Sequence, residues 1–208
     1  MPRLNPIPYE DLPKDIQERL DSVFGPQHDK GTTTGTPGNW WNVWGRVPEI
    51  LRAFSAYSYR NAPVDSKILE LALVRTGYAR ASQFVFSQHC KAARREGVEE
   101  AKIAAVPYWT ISDVFSDKER AVLAYVDGQI LEGGRVHHRV FEALKKHFSD
   151  EEILVLTYHI NMYQLHAVTT KALRLEYDDV PDRIVEIPAP ETRKVQDWLD
   201  PSWSRAQG

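Results

Sequence analysis

Apolar positions in this chain recur every three to four residues almost throughout, and no stretch keeps the two-residue alternation of a half-buried strand. The pattern therefore predicts an all-α protein. YEDLPKDIQERLDSVFG (9–25) reads as a first amphipathic helix, with Pro13 near its start and Gly25 past its end. PQHDKGTTTGTPGN (26–39) is a loop by composition. In the aromatic segment that follows, Pro48 suits the first turn of a helix running to about residue 58. Residues 64–79 and 81–96 give two strongly apolar helices, the second closed by Gly97. A short helix over 98–106 ends at Pro107.

Two Ser-x-x-Glu capping boxes mark the second half, Ser116 with Glu119 and Ser149 with Glu152. Between the helices they open, Gly133 and Gly134 break the chain before a helix at 136–147. The last helix is expected to run to about Tyr177. The remainder, with four prolines and no sustained periodicity, reads as an extended arm over 178–208. The expected organisation is an extension over 1–39, one helical domain over 40–177, and the arm.

Two helices place a titratable group on an apolar face. Counting by three and four from His89 reaches Val85, Phe86, Ser82, Ala92 and Ala93, so His89 lies on a stripe that faces the core. On the preceding helix Glu70 shares its face with Leu73, Val74 and Gly77. A carboxylate there is costly unless paired, hydrogen-bonded or protonated. The two residues read either as an acid–base pair or as a structural tie holding the helices in register. Cys90, the single cysteine, lies about 100° round the helix from His89 and reads as a small half-buried hydrophobe.

The segment LELALVRTGYARASQFVFSQHCKAARREGV resembles the core of the carboxymuconolactone decarboxylase and alkyl hydroperoxidase D-like superfamily, and the likeness spans about residues 40–175. The hydroperoxidase branch carries a glutamate and, twelve residues on, C-x-x-C-x-x-x-H. Here Glu70 is followed at that spacing by Ser82, Val85 and His89, so both redox cysteines are replaced while glutamate and histidine match. Non-redox relatives read Y-E-W-x-x-H where this chain has Phe84-Val85-Phe86-Ser87-Gln88-His89. Cys90 matches neither redox position, and a dithiol peroxidase needs both sulfurs.

The resemblance implies a single-domain helical bundle and a homo-oligomer, trimers and hexamers being common among short members; this longer chain reads as a dimer candidate. It also implies acid–base chemistry without a cofactor on a small lactone or keto/enol acid. His89 would shuttle the proton, Glu70 would orient it, and Ser82 would donate a hydrogen bond to the substrate. Val85 removes the acid found in relatives, which leaves decarboxylation, isomerisation and lactone opening equally open. A non-catalytic small-molecule-binding protein on the same scaffold is the alternative.

His159, Met162, Tyr163 and His166 share one face of the last helix. They read as a pocket wall, with Tyr163 and His166 as polar anchors beside Val85 and Phe86, or as an interface stripe. No H-E-x-x-H or E-x-x-H spacing supports a metal, and none is expected. His137 and His138 suit a surface. GTTTGTPG lacks the G-K-[ST] of a phosphate loop. Trp40, Trp44 and their neighbours suit core packing or, with the tryptophan-bearing arm, a subunit contact.

The 208 residues suffice for one core, and a net charge of −3 gives no footprint for nucleic acid or an anionic membrane. No run of about 18 apolar residues is present to span a bilayer. One cysteine and no apolar leader in MPRLNPIPYEDLPKD fit a cytoplasmic protein.

Overall fold

The computed structural model describes residues 2–28, 30, 38–56 and 62–175. These residues form α1 (Lys14–Phe24), α2 (Gly38–Trp44), α3 (Pro48–Ser55), α4 (Ser66–Ala79), α5 (Gln83–Glu96), α6 (Glu100–Ala105), α7 (Asp117–Ile130), α8 (His138–Lys145) and α9 (Asp150–Leu173), with 3-10 turns at Tyr9–Asp11 and Val106–Ile111. No strand occurs among them. The arm over 178–208 and most of the glycine-rich loop lie outside the described residues.

Local chemistry sets most boundaries. Asp65 accepts from the backbone of Lys67 and Ile68 to open α4, and Ser82 accepts from Val85 N to open α5. Both expected capping boxes form, at Ser116–Glu119 and Ser149–Glu152. Gly97 adopts φ 84° to close α5. The first helix starts later than its periodicity suggests, because Pro13 is its N-cap and a 3-10 turn precedes it. α3 stops at Ser55, short of 58. The last helix ends at Leu173, with Arg174 left-handed at φ 54°, rather than running to Tyr177.

α4 is the central element: every residue from Ile68 to Gly77 is buried. One face packs with α7, α8 and α9 around Leu69, Leu73, Val122, Val126, Leu156 and Ile160. Another packs with α5, α6 and the second 3-10 turn around Leu71, Val74, Phe86, Cys90 and Ile103. Burial on all sides explains why α4 is apolar round its circumference. A third cluster joins α1, α2 and α3 to α5 and the end of α9 through Ile16, Leu20, Trp40, Leu51, Phe84, Val85 and Ala167.

α4 and α5 approach closely at Gly77, where a Cβ would lie 2.5 Å from Phe86 N. Only glycine lets the two backbones meet there. The buried Arg75 is fully engaged: Nε and Nη2 donate to Asp127 at 2.6 and 2.9 Å, and Nη1 to Val106 O at 3.2 Å. Trp109 Nε1 donates to the same carboxylate at 3.0 Å. This network ties α4 to α7 and to the turn before it.

Cys90 differs from its expected half-burial. It is fully buried beside Phe86 and Ala93, because α5 is covered on two sides rather than one. Trp40 likewise lies inside the chain, 1% exposed, so it is core and not a subunit contact.

Candidate functional site

Glu70 and His89 meet. His89 Nδ1 lies 2.7 Å from Glu70 Oε2, with Glu70 wholly buried and His89 at 5% exposure. The contact exists because α4 and α5 are locked together where Gly77 meets Phe86, two turns from Glu70 along α4 and one turn from His89 along α5. The proton of the contact sits on Nδ1 or on the carboxyl according to tautomer. Glu70 Oε1 has no hydrogen-bond partner among the described residues.

α9 supplies the facing wall. The Tyr163 ring stands edge-on to His89, centroids 4.2 Å apart. One turn on, His166 is enclosed by Trp40 at 4.4 Å, Phe54 at 4.9 Å, Tyr163 at 5.6 Å, Phe84 at 5.9 Å and Trp44 at 6.1 Å, measured between ring centroids. Burial pushes its pKa down to about 3, and the nearby His89 adds to the shift. Neither His166 ring nitrogen has a hydrogen-bond partner among the described residues, nor do the indole nitrogens of Trp40 and Trp44. His159, fully buried, contacts Val155 O through Nδ1 at 2.8 Å, and burial lowers its pKa as well.

The expected residues divide. Glu70, His89, Val85, Tyr163 and His166 come together. Ser82 is wholly buried as the cap of α5, its oxygen 3.4 Å from Val85 N. The structure does not bring Phe86 to this cluster: it packs in the neighbouring one, with Tyr78, Leu71 and Cys90. The sequence pattern missed Trp40, Trp44, Phe54 and Phe84 as walls. The i, i+4 pair Trp40 and Trp44 signals a common helical face, but nothing in its spacing points to α9. No group of three or more His, Cys, Asp or Glu side chains is placed to hold a metal among the described residues. His137 is exposed and caps α8, accepting from Arg139 N.

An all-α bundle with a buried glutamate–histidine pair and no dithiol defines a form of the alkyl hydroperoxidase D-like fold without its redox motif. Residues 46–128 match the Carboxymuconolactone decarboxylase family, and with one cysteine in the chain that segment lacks the redox C-x-x-C. The matched segment holds Glu70 and His89, whereas Trp40, Trp44, Tyr163 and His166 come from outside it. The chain is 28% identical over 148 residues to the uncharacterized protein YnjA of Escherichia coli K12, covering 66% of this chain and 76% of YnjA. Among solved structures, an uncharacterized peroxidase-related protein from Ralstonia eutropha JMP134 with an alkylhydroperoxidase AhpD core aligns with a TM-score of 0.72 at 20% identity, over 86% of this chain and 93% of its own. A protein of unknown function from Agrobacterium tumefaciens, ATU0492, aligns at 0.60 with 28% identity, over 70% and 97%. The debrominase Bmp8, as a cysteine-to-alanine variant in complex with 2,3,4-tribromopyrrole, aligns at 0.64 with 16% identity, over 82% and 88%.

Proposed function

We propose that this protein is an acid–base enzyme, working without a cofactor on a small organic lactone or keto/enol acid, with Glu70 and His89 as its proton-handling pair. The observation that carries the reading is a concentration of buried polar atoms without hydrogen-bond partners among the described residues beside that pair: Glu70 Oε1, both nitrogens of His166, and the indole N–H groups of Trp40 and Trp44. An unmet buried hydrogen bond costs about 1–3 kcal/mol, and native proteins keep few of them. A planar ligand bearing two or more oxygens would accept from the indoles and engage the imidazole, while the aromatic rings cover its faces. On a related fold, Bmp8 holds a small planar heterocycle.

In this reading His89 donates Nδ1–H to Glu70 and keeps its Nε2 lone pair for a substrate proton. Glu70 fixes that tautomer and stabilises the imidazolium once formed. The indole donors stabilise oxygen charge developing on an enolate. The apolar walls, Val85 included, favour loss or burial of a substrate carboxylate. Ser82 acts by holding the first turn of α5, and so places His89 two turns further on. Buried apolar Val85, 1% exposed, favours a second reading in which the same cluster of residues binds a ligand without turnover.

Proton exchange distinguishes the two. Incubating candidate lactones, keto acids and enol acids with the protein in heavy water should give deuterium incorporation at carbon, dependent on His89. Binding without exchange, equal in wild type and His89→Gln, would leave only the binding protein.

A further inference from the structure

We propose that His166 is the residue that selects the ligand, and that it selects an uncharged one: a planar cyclic compound with an enolic hydroxyl beside a carbonyl, held by the imidazole and by the indole N–H groups of Trp40 and Trp44. This rests on the placing of the ligand in the reading above, whether or not the ligand is turned over. It narrows the substrate of that reading to the un-ionised enol.

Charge is the first reason. His166 is 5% exposed and Trp40 1%. The rings of Trp40, Trp44, Phe54, Phe84 and Tyr163 stand 4.4–6.1 Å from the imidazole, centroid to centroid. None of them carries a charge at pH 7. Burial keeps the imidazole itself neutral down to a pH of about 3, so it offers an anion no counter-charge. On the far side of Tyr163, whose ring meets that of His89 at 4.2 Å, the Glu70 carboxyl is already joined to His89. A carboxylate brought beside His166 would therefore be a buried charge with no cation to pair it, and such a charge is expelled or neutralised.

The second reason is the count of donors and acceptors. An indole N–H can only donate, while a neutral imidazole presents one N–H and one lone pair. Around His166 the buried atoms without partners among the described residues are two indole donors and both imidazole nitrogens. A carbonyl oxygen has two lone pairs, enough for both indoles. A hydroxyl hydrogen meets the imidazole lone pair, and a further ligand oxygen accepts the imidazole N–H. A carboxylate or a plain ketone has no hydrogen to give, so either would leave that lone pair unmet. The un-ionised enol beside a carbonyl satisfies every one of these atoms. Any carboxylate on the substrate lies away from Trp40, Trp44 and His166.

Calorimetric titration of the full chain with three pyranones tests this. Maltol carries an enolic hydroxyl beside its carbonyl; the second probe is the same ring without the hydroxyl, and the third bears a carboxylate in its place. Wild type should bind maltol about tenfold or more tighter than either of the others, the equivalent of one neutral hydrogen bond. Buffers of different ionisation enthalpy should show no proton taken up. His166→Phe should bind maltol and the unhydroxylated ring alike, whereas His89→Gln should keep the preference. Should His166→Phe fail to fold, the nitrogen-15 shifts of wild-type His166 give an independent reading: maltol should leave the ring neutral and fix a single tautomer. Equal affinities for the three probes, a preference that survives in His166→Phe, a carboxylate bound more tightly with a proton taken up, or no binding at all would each overturn the proposal. Selective binding of maltol in a protein that exchanges no proton at carbon would end the acid–base reading and leave this one standing.

Discussion

His89 and Glu70 make one buried contact, but their removal acts differently on the fold and on the chemistry. Glu70→Ala leaves the imidazole buried without its partner, and should cost about 3 kcal/mol in chemical denaturation. His89→Gln keeps much of the side-chain volume; it should lower turnover roughly 10²–10⁴-fold, the usual contribution of a positioned acid–base group. Equal turnover in His89→Gln and wild type would remove the histidine from the reaction. His166 gives a separate test. An unfolded chain protonates this residue as the pH falls through 6.5, while the folded chain resists until about 3. Its contribution to stability is therefore full above 6.5 and is lost as the pH falls below that, by about 1.4 kcal/mol per pH unit. His166→Phe should resemble wild type at pH 7 and gain about 2 kcal/mol on it at pH 5. Denaturation curves whose difference is the same at both pH values would contradict the burial of a neutral His166.

The two helices that carry the pair depend on Gly77. Gly77→Ala pushes a methyl group into the backbone of Phe86 and should destabilise by about 2 kcal/mol or more, with a reduced response of His89 to ligand. Ser116→Ala and Ser149→Ala remove a cap each and should cost about 1 kcal/mol apiece by thermal or chemical melts. These elements also show what was legible in the sequence. Both capping boxes, the Gly97 cap and Pro48 at a helix start depend on a few neighbouring residues, so local chemistry reveals them. The Glu70–His89 contact was legible because the titratable residues sit alone on apolar faces of consecutive helices. Phe86 misled because α5 is buried on two sides, so one stripe of periodicity serves two clusters. The place of Trp40, Trp44 and Phe54 around His166 was not legible, since it depends on how α2 and α3 fold back onto α9. The end of the last helix was misplaced for want of any glycine or proline near Leu173.

Across the molecule, residues 46–128 hold the Glu70–His89 contact, while α2, α3 and α9 close the aromatic box around His166. The cluster is thus divided between the matched residues, which include Phe54 of α3, and Trp40, Trp44, Tyr163 and His166 outside them. Trp40→Ala should therefore weaken ligand binding while leaving the Glu70–His89 contact in place, a separation that His89 resonances and calorimetric titration together can read. α9 serves the inner box through Tyr163 and His166. No helix among the described residues is long and apolar enough to cross a membrane.

The proton-handling pair stands or falls on the nitrogen-15 spectrum of the histidine side chains during titration with small lactones, keto acids and enol acids, in wild type and Glu70→Gln. The chain has seven histidines, so single substitutions assign them. One chemical class should shift His89 and His166 together, and Glu70→Gln should alter the tautomer of His89. Resonances of His89 and His166 that respond to no compound, with a tautomer indifferent to Glu70, would contradict the acid–base reading and leave the pair as a tie between two helices.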